Sequence, residues 1–166
     1  MYFPSAFLVS IIKPLKTYLW QKVLPSTPPG FTLLTKEMTR PNGLAFSPDE
    51  KLLYVAQSDE KAAIWRVFDV KADGTIANSR VLLDVTAMTK TKTGLPDGLK
   101  IDSEGNLWAT GPGGVLVISP QGKHLGTIRT GQATANVAFG EDGHSLFITA
   151  DMFLMRVKTK TKGVGF

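Results

Sequence analysis

Cysteine is absent from all 166 residues, which excludes disulfides, thiolate metal sites and a cysteine nucleophile. Histidine is almost as scarce: His124 and His144 are the only two, and both fall in polar turn sequences that read as surface structure. No G-x-S-x-G stretch is present, so the nucleophile elbow of a serine hydrolase is missing. The glycine-rich "GPGGVL" at 111–116 fits neither the dinucleotide nor the phosphate-loop pattern and reads as a tight turn between two strands. No glycosylation sequon occurs. After residue 30, no run of ten residues keeps a 3.6-residue apolar period, so helix is expected to be scarce.

Long apolar runs are lacking too. "AFLVSII" at 6–12 is too short to span a bilayer, has no basic residue before it and is closed by Pro14, so it reads against a signal peptide or an anchor. The expectation is a soluble protein of the cytoplasm or periplasm with no membrane partner. The net charge is +5, but the lysines cluster only at "TKTK" (89–92) and "KTKTK" (158–162). In both runs lysine alternates with threonine, the pattern of a solvated loop or strand edge rather than a nucleic-acid surface.

What is present is a repeat. With 43% hydrophobic and 20% charged residues the chain has the profile of a folded unit. Within it, "RPNGLAFSPDEKLLYVA" (40–56) returns as "LPDGLKIDSEGNLWAT" (95–110) and "TANVAFGEDGHSLFITA" (134–150). Aligning the three puts Asn42, Asp97 and Asn136 in one column, followed by an apolar strand, a polar turn and a second apolar strand. Third strands follow at "AIWRVFDV" (63–70), "GVLVISP" (114–120) and "FLMRVK" (153–158), and fourth strands at "RVLLDV" (80–85) and "GTIRT" (126–130). "FTLLTK" (31–36) reads as the closing strand of a preceding unit. The column recurs at intervals of 55 and 39 residues, bracketing the roughly 40–50 expected of a propeller blade, and the insertion "AMTKTKTG" (87–94) accounts for the longer one as a loop. The expected fold is all-β, with about three four-stranded antiparallel blades of a partial β-propeller. Trp65, Trp108, Phe139 and Phe147 fall at inward or inter-blade positions and read as packing.

In a propeller the innermost strand of each blade lines a central channel, so residues at one phase of successive repeats stand at similar height around one axis. Asn42, Asp97 and Asn136 are thus expected to point oxygen donors at a shared centre, a set suited to a hard cation. Seen singly, Pro-Asn-Gly and Pro-Asp-Gly are ordinary turn sequences. Their common register with the inner strand of each repeat is what singles them out.

"PNGLAFSPD" and "LPDGLKID" together, with the blade order over residues 31–166, resemble the second half of the senescence marker protein, gluconolactonase and luciferin-regenerating enzyme family, gluconolactonase branch. The resemblance implies a six-bladed propeller that holds one divalent metal ion in its channel and hydrolyses sugar lactones. It implies Ca²⁺ first, with Zn²⁺, Mn²⁺ or Mg²⁺ admitted. It makes Asn42 and Asp97 metal ligands and Asp97 the general base as well; Asn136 is a weaker candidate, for substrate contact or additional ligation. Family members also supply a glutamate from the first blade, which has no counterpart here. Residues 1–30 match no blade and read as a leader, with 31–166 as the C-terminal half of a propeller. On that reading the chain alone is an impaired lactonase whose open blade faces favour self-association; the alternative is a non-catalytic propeller fragment serving as a binding or assembly module.

Overall fold

The computed structural model describes residues 30–166. Eleven strands form three antiparallel sheets in chain order. The first blade is β1 (Pro41–Phe46), β2 (Leu52–Gln57), β3 (Ile64–Val70) and β4 (Ile76–Asp84). The second is β5 (Leu99–Ile101), β6 (Leu107–Gly111), β7 (Gly114–Ile118) and β8 (His124–Ile128). The third contains β9 (Thr134–Gly140), β10 (Ser145–Ala150) and β11 (Phe153–Lys158). Each sheet is a meander, so every connection inside a blade is local, which is what the alternating apolar runs and polar turns dictate.

The blades stack face to face because their central strands are apolar on both sides. In β2, Tyr54 and Ala56 pair with Val67 and Trp65 and pack against Leu99, Leu107, Ala109 and Leu116 of the second blade. Leu53 and Val55 point the other way, onto Phe68 and Met38. From β6, Trp108 turns towards the third blade and meets Phe139 edge-on, with ring centroids 5.7 Å apart, among Val115, Val137, Leu146 and Ile148. Trp65, wholly buried, fills the space between the first two blades. Phe147 lies on the side of β10 opposite Leu146 and Ile148, with its ring over Gly140.

Three differences from the sequence reading have physical causes. "FTLLTK" (31–36) forms no ladder, because the described residues offer it no neighbouring strand; just beyond it Met38 plugs into the outer face of the first blade. Among the described residues the third blade has three strands rather than four: after β11 the chain bends back between blades, where Gly163 bridges Asp102 and abuts the Phe139 ring. The insertion at 87–94 opens with a 3-10 turn over Thr86–Lys90 before it becomes loop. "GPGGVL" is the tight β6–β7 turn, Gly111 pairing with Gly114. Among the described residues no helix is long and apolar enough to cross a membrane.

The side of the third blade facing away from the second carries Leu154, 74% exposed, beside the ion cluster of Glu141 with Lys158 and Arg156. Lys158, Ser145 and Arg156 together hold the Glu141 carboxyl down at a pKa of about 2. A carboxyl depressed below its ordinary 4.5 contributes stability that is present above that value and lost as pH falls towards about 2. Glu141→Gln should therefore lower the melting temperature slightly at pH 7 and flatten its decline between these limits, the variant and the parent protein converging near pH 2. A decline as steep as that of the parent protein would show that this cluster does not carry it.

Candidate functional site

The repeat column is brought together by irregularities at one end of the inner strands. In β1 the ladder runs from Pro41 opposite Gln57 to Leu44 opposite Val55, so Asn42 and Gly43 face the single residue Ala56. In β9 a similar bulge separates Thr134 from Asn136. Such bulges twist a strand end and re-aim its side chains. In the second blade the Asp97 N–H donates to Thr110 O at 3.1 Å, and Thr110 N–H donates to Gly98 O at 2.9 Å.

Glycine makes the approach between blades close. A Cβ built on Gly43 would lie 2.1 Å from the Asp97 carbonyl oxygen, and one built on Gly98 would lie 2.2 Å from Asn136 Oδ1. Each glycine of the Pro-Asn-Gly and Pro-Asp-Gly turns therefore seats the polar residue of the next blade. The three members of the column are chain-distant and spatially consecutive, Asn42 beside Asp97 and Gly98 against Asn136.

The electrostatics of the trio centre on one carboxylate. Burial pushes the Asp97 carboxyl above its ordinary range, and a hydrogen bond donated by the Asn42 side chain offsets only part of that. The same Asn42 amide nitrogen donates to Ser58 Oγ at 3.0 Å, and the Ser58 hydroxyl donates to the Pro96 carbonyl. With its amide nitrogen turned to Ser58, Asn42 Oδ1 is left as an acceptor. Asn136 differs, since its Oδ1 already accepts the Val137 N–H at 2.9 Å. Among the described residues no three His, Cys, Asp or Glu side chains gather, so any cation here would rest on one carboxylate and amide oxygens. His124 bonds within its own strand, to Gly126 O and Thr127 Oγ1.

Two residues at this end escape the motif reading. Ser58 ties the first blade to the Pro-Asp-Gly turn, and the Thr110 hydroxyl lies 3.1 Å from the carbonyl oxygens of both Gly98 and Ala135, tying β6 to β9. Thr110 has a signal in the repeat: Thr149 occupies its column, and its hydroxyl donates to Asn136 O at 3.3 Å. Ser58 has none, because its column holds Pro112 and Asp151 in the other blades.

These features define a class: consecutive β-propeller blades whose inner-strand turns approach closely, Gly43 against Asp97 and Gly98 against Asn136. Residues 22–151 match the SMP-30/gluconolactonase/LRE-like region, and the chain belongs to that family. A gluconolactonase of Zymomonas mobilis is 44% identical over 137 residues, which cover 79% of this chain and 38% of the relative. The structure of a gluconolactonase from Xanthomonas campestris aligns with a TM-score of 0.63 at 34% identity, over 76% of this chain and 38% of that one. Regucalcin from Agrobacterium tumefaciens, a calcium-binding protein, aligns with a TM-score of 0.64 at 23% identity over 81% of this chain and 50% of that one, a likeness of fold alone. The chain thus spans between 38% and 50% of the length of these proteins.

Proposed function

We propose that this chain carries part of a cation-assisted lactone hydrolase site, with Asp97 as general base and Asn42 and Asp97 as cation ligands. The observation that carries the reading is the seating of Asp97 on Gly43 and of Asn136 on Gly98, which gathers the column at one end of the inner strands. The gluconolactonase relatives support a sugar lactone as substrate.

The donor set fits a hard divalent ion. Asn42 Oδ1 accepts no hydrogen bond among the described residues, and the Asp97 carboxylate is desolvated with only an amide to compensate it. A neighbouring positive charge would relieve that desolvation. Ca²⁺ suits oxygen-only donors best; Mg²⁺, Mn²⁺ or Zn²⁺ would draw on the same atoms. When bound, such an ion would polarise a carbonyl and offset developing negative charge.

The proton chemistry falls to the chain. Asp97 takes a proton from the attacking water as its oxygen bonds to the lactone carbonyl carbon, and returns it to the ring oxygen as the C–O bond breaks, leaving a hydroxy acid. Burial raises its basicity above that of a solvated carboxylate. Asn136, whose oxygen is engaged by Val137, presents its NH₂ as a donor for a substrate oxygen.

One carboxylate makes a weak site, so calorimetric titration with Ca²⁺ should give a Kd of about 10⁻⁴ to 10⁻³ M, and Asp97→Ala should abolish the binding. Glucono-1,5-lactone hydrolysis by the chain alone should be slow and should stop on chelation. Turnover indifferent to chelator and to Asp97→Ala would remove the assignment.

A further inference from the structure

We propose that Ser58 is a positioning residue that sets which atom Asn42 presents to the channel. This rests on the cation reading above and extends it to a residue outside both turn motifs.

An asparagine amide is nearly symmetric in shape, so which end faces a ligand is decided by its hydrogen-bond partners. A cation requires the oxygen outward; a hydrogen-bonding substrate could use either end. Ser58 settles the choice by what its hydroxyl is already committed to. Its single hydrogen goes to the Pro96 carbonyl, which can only accept, so towards Asn42 the hydroxyl oxygen can only accept too. It therefore binds the amide nitrogen, at 3.0 Å, and rejects the amide oxygen. The Asn42 side chain also stands near Asp97, whose carboxyl pKa it helps to lower. Asn42, Ser58 and Pro96 make a chain of hydrogen bonds that joins the first blade to the turn of the second.

Ser58 is itself held in place. Its N–H donates to Arg40 O at 2.9 Å, two residues before Asn42. Gln57 beside it bridges Thr39 N and Ala62 O at 3.0 and 2.9 Å, which fixes the loop that carries it. The hydroxyl is thus anchored to the strand that presents Asn42 and aimed at the turn that presents Asp97. A side chain of this kind acts on a bound ion only by orienting a ligand, and loss of such support typically weakens binding about 10–100-fold.

The test uses the full chain and Ca²⁺ alone, by calorimetry, together with NMR of the Asn42 side-chain amide in cation-free protein. Ser58→Ala should weaken Ca²⁺ about tenfold with the melting temperature nearly unchanged, and should expose the Asn42 NH₂ to rapid solvent exchange. Ser58→Thr, which keeps the hydroxyl, should restore affinity to within about threefold and restore protection. Ser58→Cys, of similar size but a poor donor, should behave as Ser58→Ala does. If the parent protein binds Ca²⁺ and Asp97→Ala abolishes binding while Ser58→Ala and Ser58→Cys bind as the parent does, Ser58 has no such role and the cation reading stands. If the parent protein binds no Ca²⁺, the cation reading fails and the exchange measurement decides alone: protection retained without the hydroxyl overturns the inference, and protection lost supports it.

Discussion

Gly43→Ala is expected to destabilise the protein by about 3 kcal/mol, lowering the melting temperature by roughly 6–12 °C. The added Cβ would stand 2.1 Å from the Asp97 carbonyl oxygen, 2.9 Å from Gly98 Cα and 3.0 Å from the Asp97 carbonyl carbon. All three are backbone atoms, so no side-chain rotation relieves the overlap; the inner strands of two blades must move apart. That separation would also loosen the packing behind them, where Tyr54 and Trp65 meet Leu99 and Ala109. Gly98→Ala should cost less, because its two shortest contacts are to the Asn136 side chain, which can shift, and only the third, the Ala135 carbonyl oxygen at 2.9 Å, is backbone. Its effect falls instead on the placement of Asn136. Gly126 in β8 serves as the control: nothing lies within 4 Å of a Cβ there, so Gly126→Ala should be neutral or slightly stabilising. Thermal denaturation of the three variants checks the order, and equal losses at Gly43 and Gly126 would show that the close approach of the first two blades does not govern stability.

Asp97→Asn is expected to lower kcat/KM for cation-dependent lactone hydrolysis by at least about 10³-fold, because it removes the base and the site's one carboxylate together while keeping the shape. In the cation-free protein the same change should slightly raise the melting temperature. The direction follows from burial: a carboxyl whose folded pKa is raised favours the folded state fully below its ordinary 3.8, and that contribution is lost as pH rises through the raised value. At neutral pH the desolvated charge is therefore a liability that a neutral amide relieves. Activity and stability should move in opposite directions, which separates loss of the base from loss of the fold. A variant that is both inactive and markedly less stable would place Asp97 in a structural role.

Much of the fold was legible in the sequence because a blade is a local object. β1 and β2, β5 and β6, and β9 and β10 are each joined by short polar turns, so their apolar phase and order can be read along the chain. Trp65, Trp108 and Phe139 could be assigned to packing on the same ground. The fourth strands were located with less accuracy: β8 is His124–Ile128 where the pattern suggested 126–130, since an edge strand has one buried side and a weaker pattern. "FTLLTK" has strand composition without a strand's partner, and composition does not supply one.

The candidate site divides along the same line. Recurrence of the turn motif singled out Asn42, Asp97 and Asn136 as candidates without coordinates. Ser58 could not be found that way, because its column does not repeat and its partners, Asn42 and Pro96, are 16 and 38 residues distant.

By itself the sequence determined the blade, its strand order and the shared register of three polar side chains, since a repeating pattern of apolar residues and turns acts between neighbours along the chain. Only the tertiary structure decided that Gly43 touches Asp97, that Gly98 touches Asn136 and that Ser58 links Asn42 of one blade to Pro96 of the next. Those contacts depend on how one packed sheet is rotated and offset against the next, which the summed fit of many buried side chains sets and no local pattern encodes.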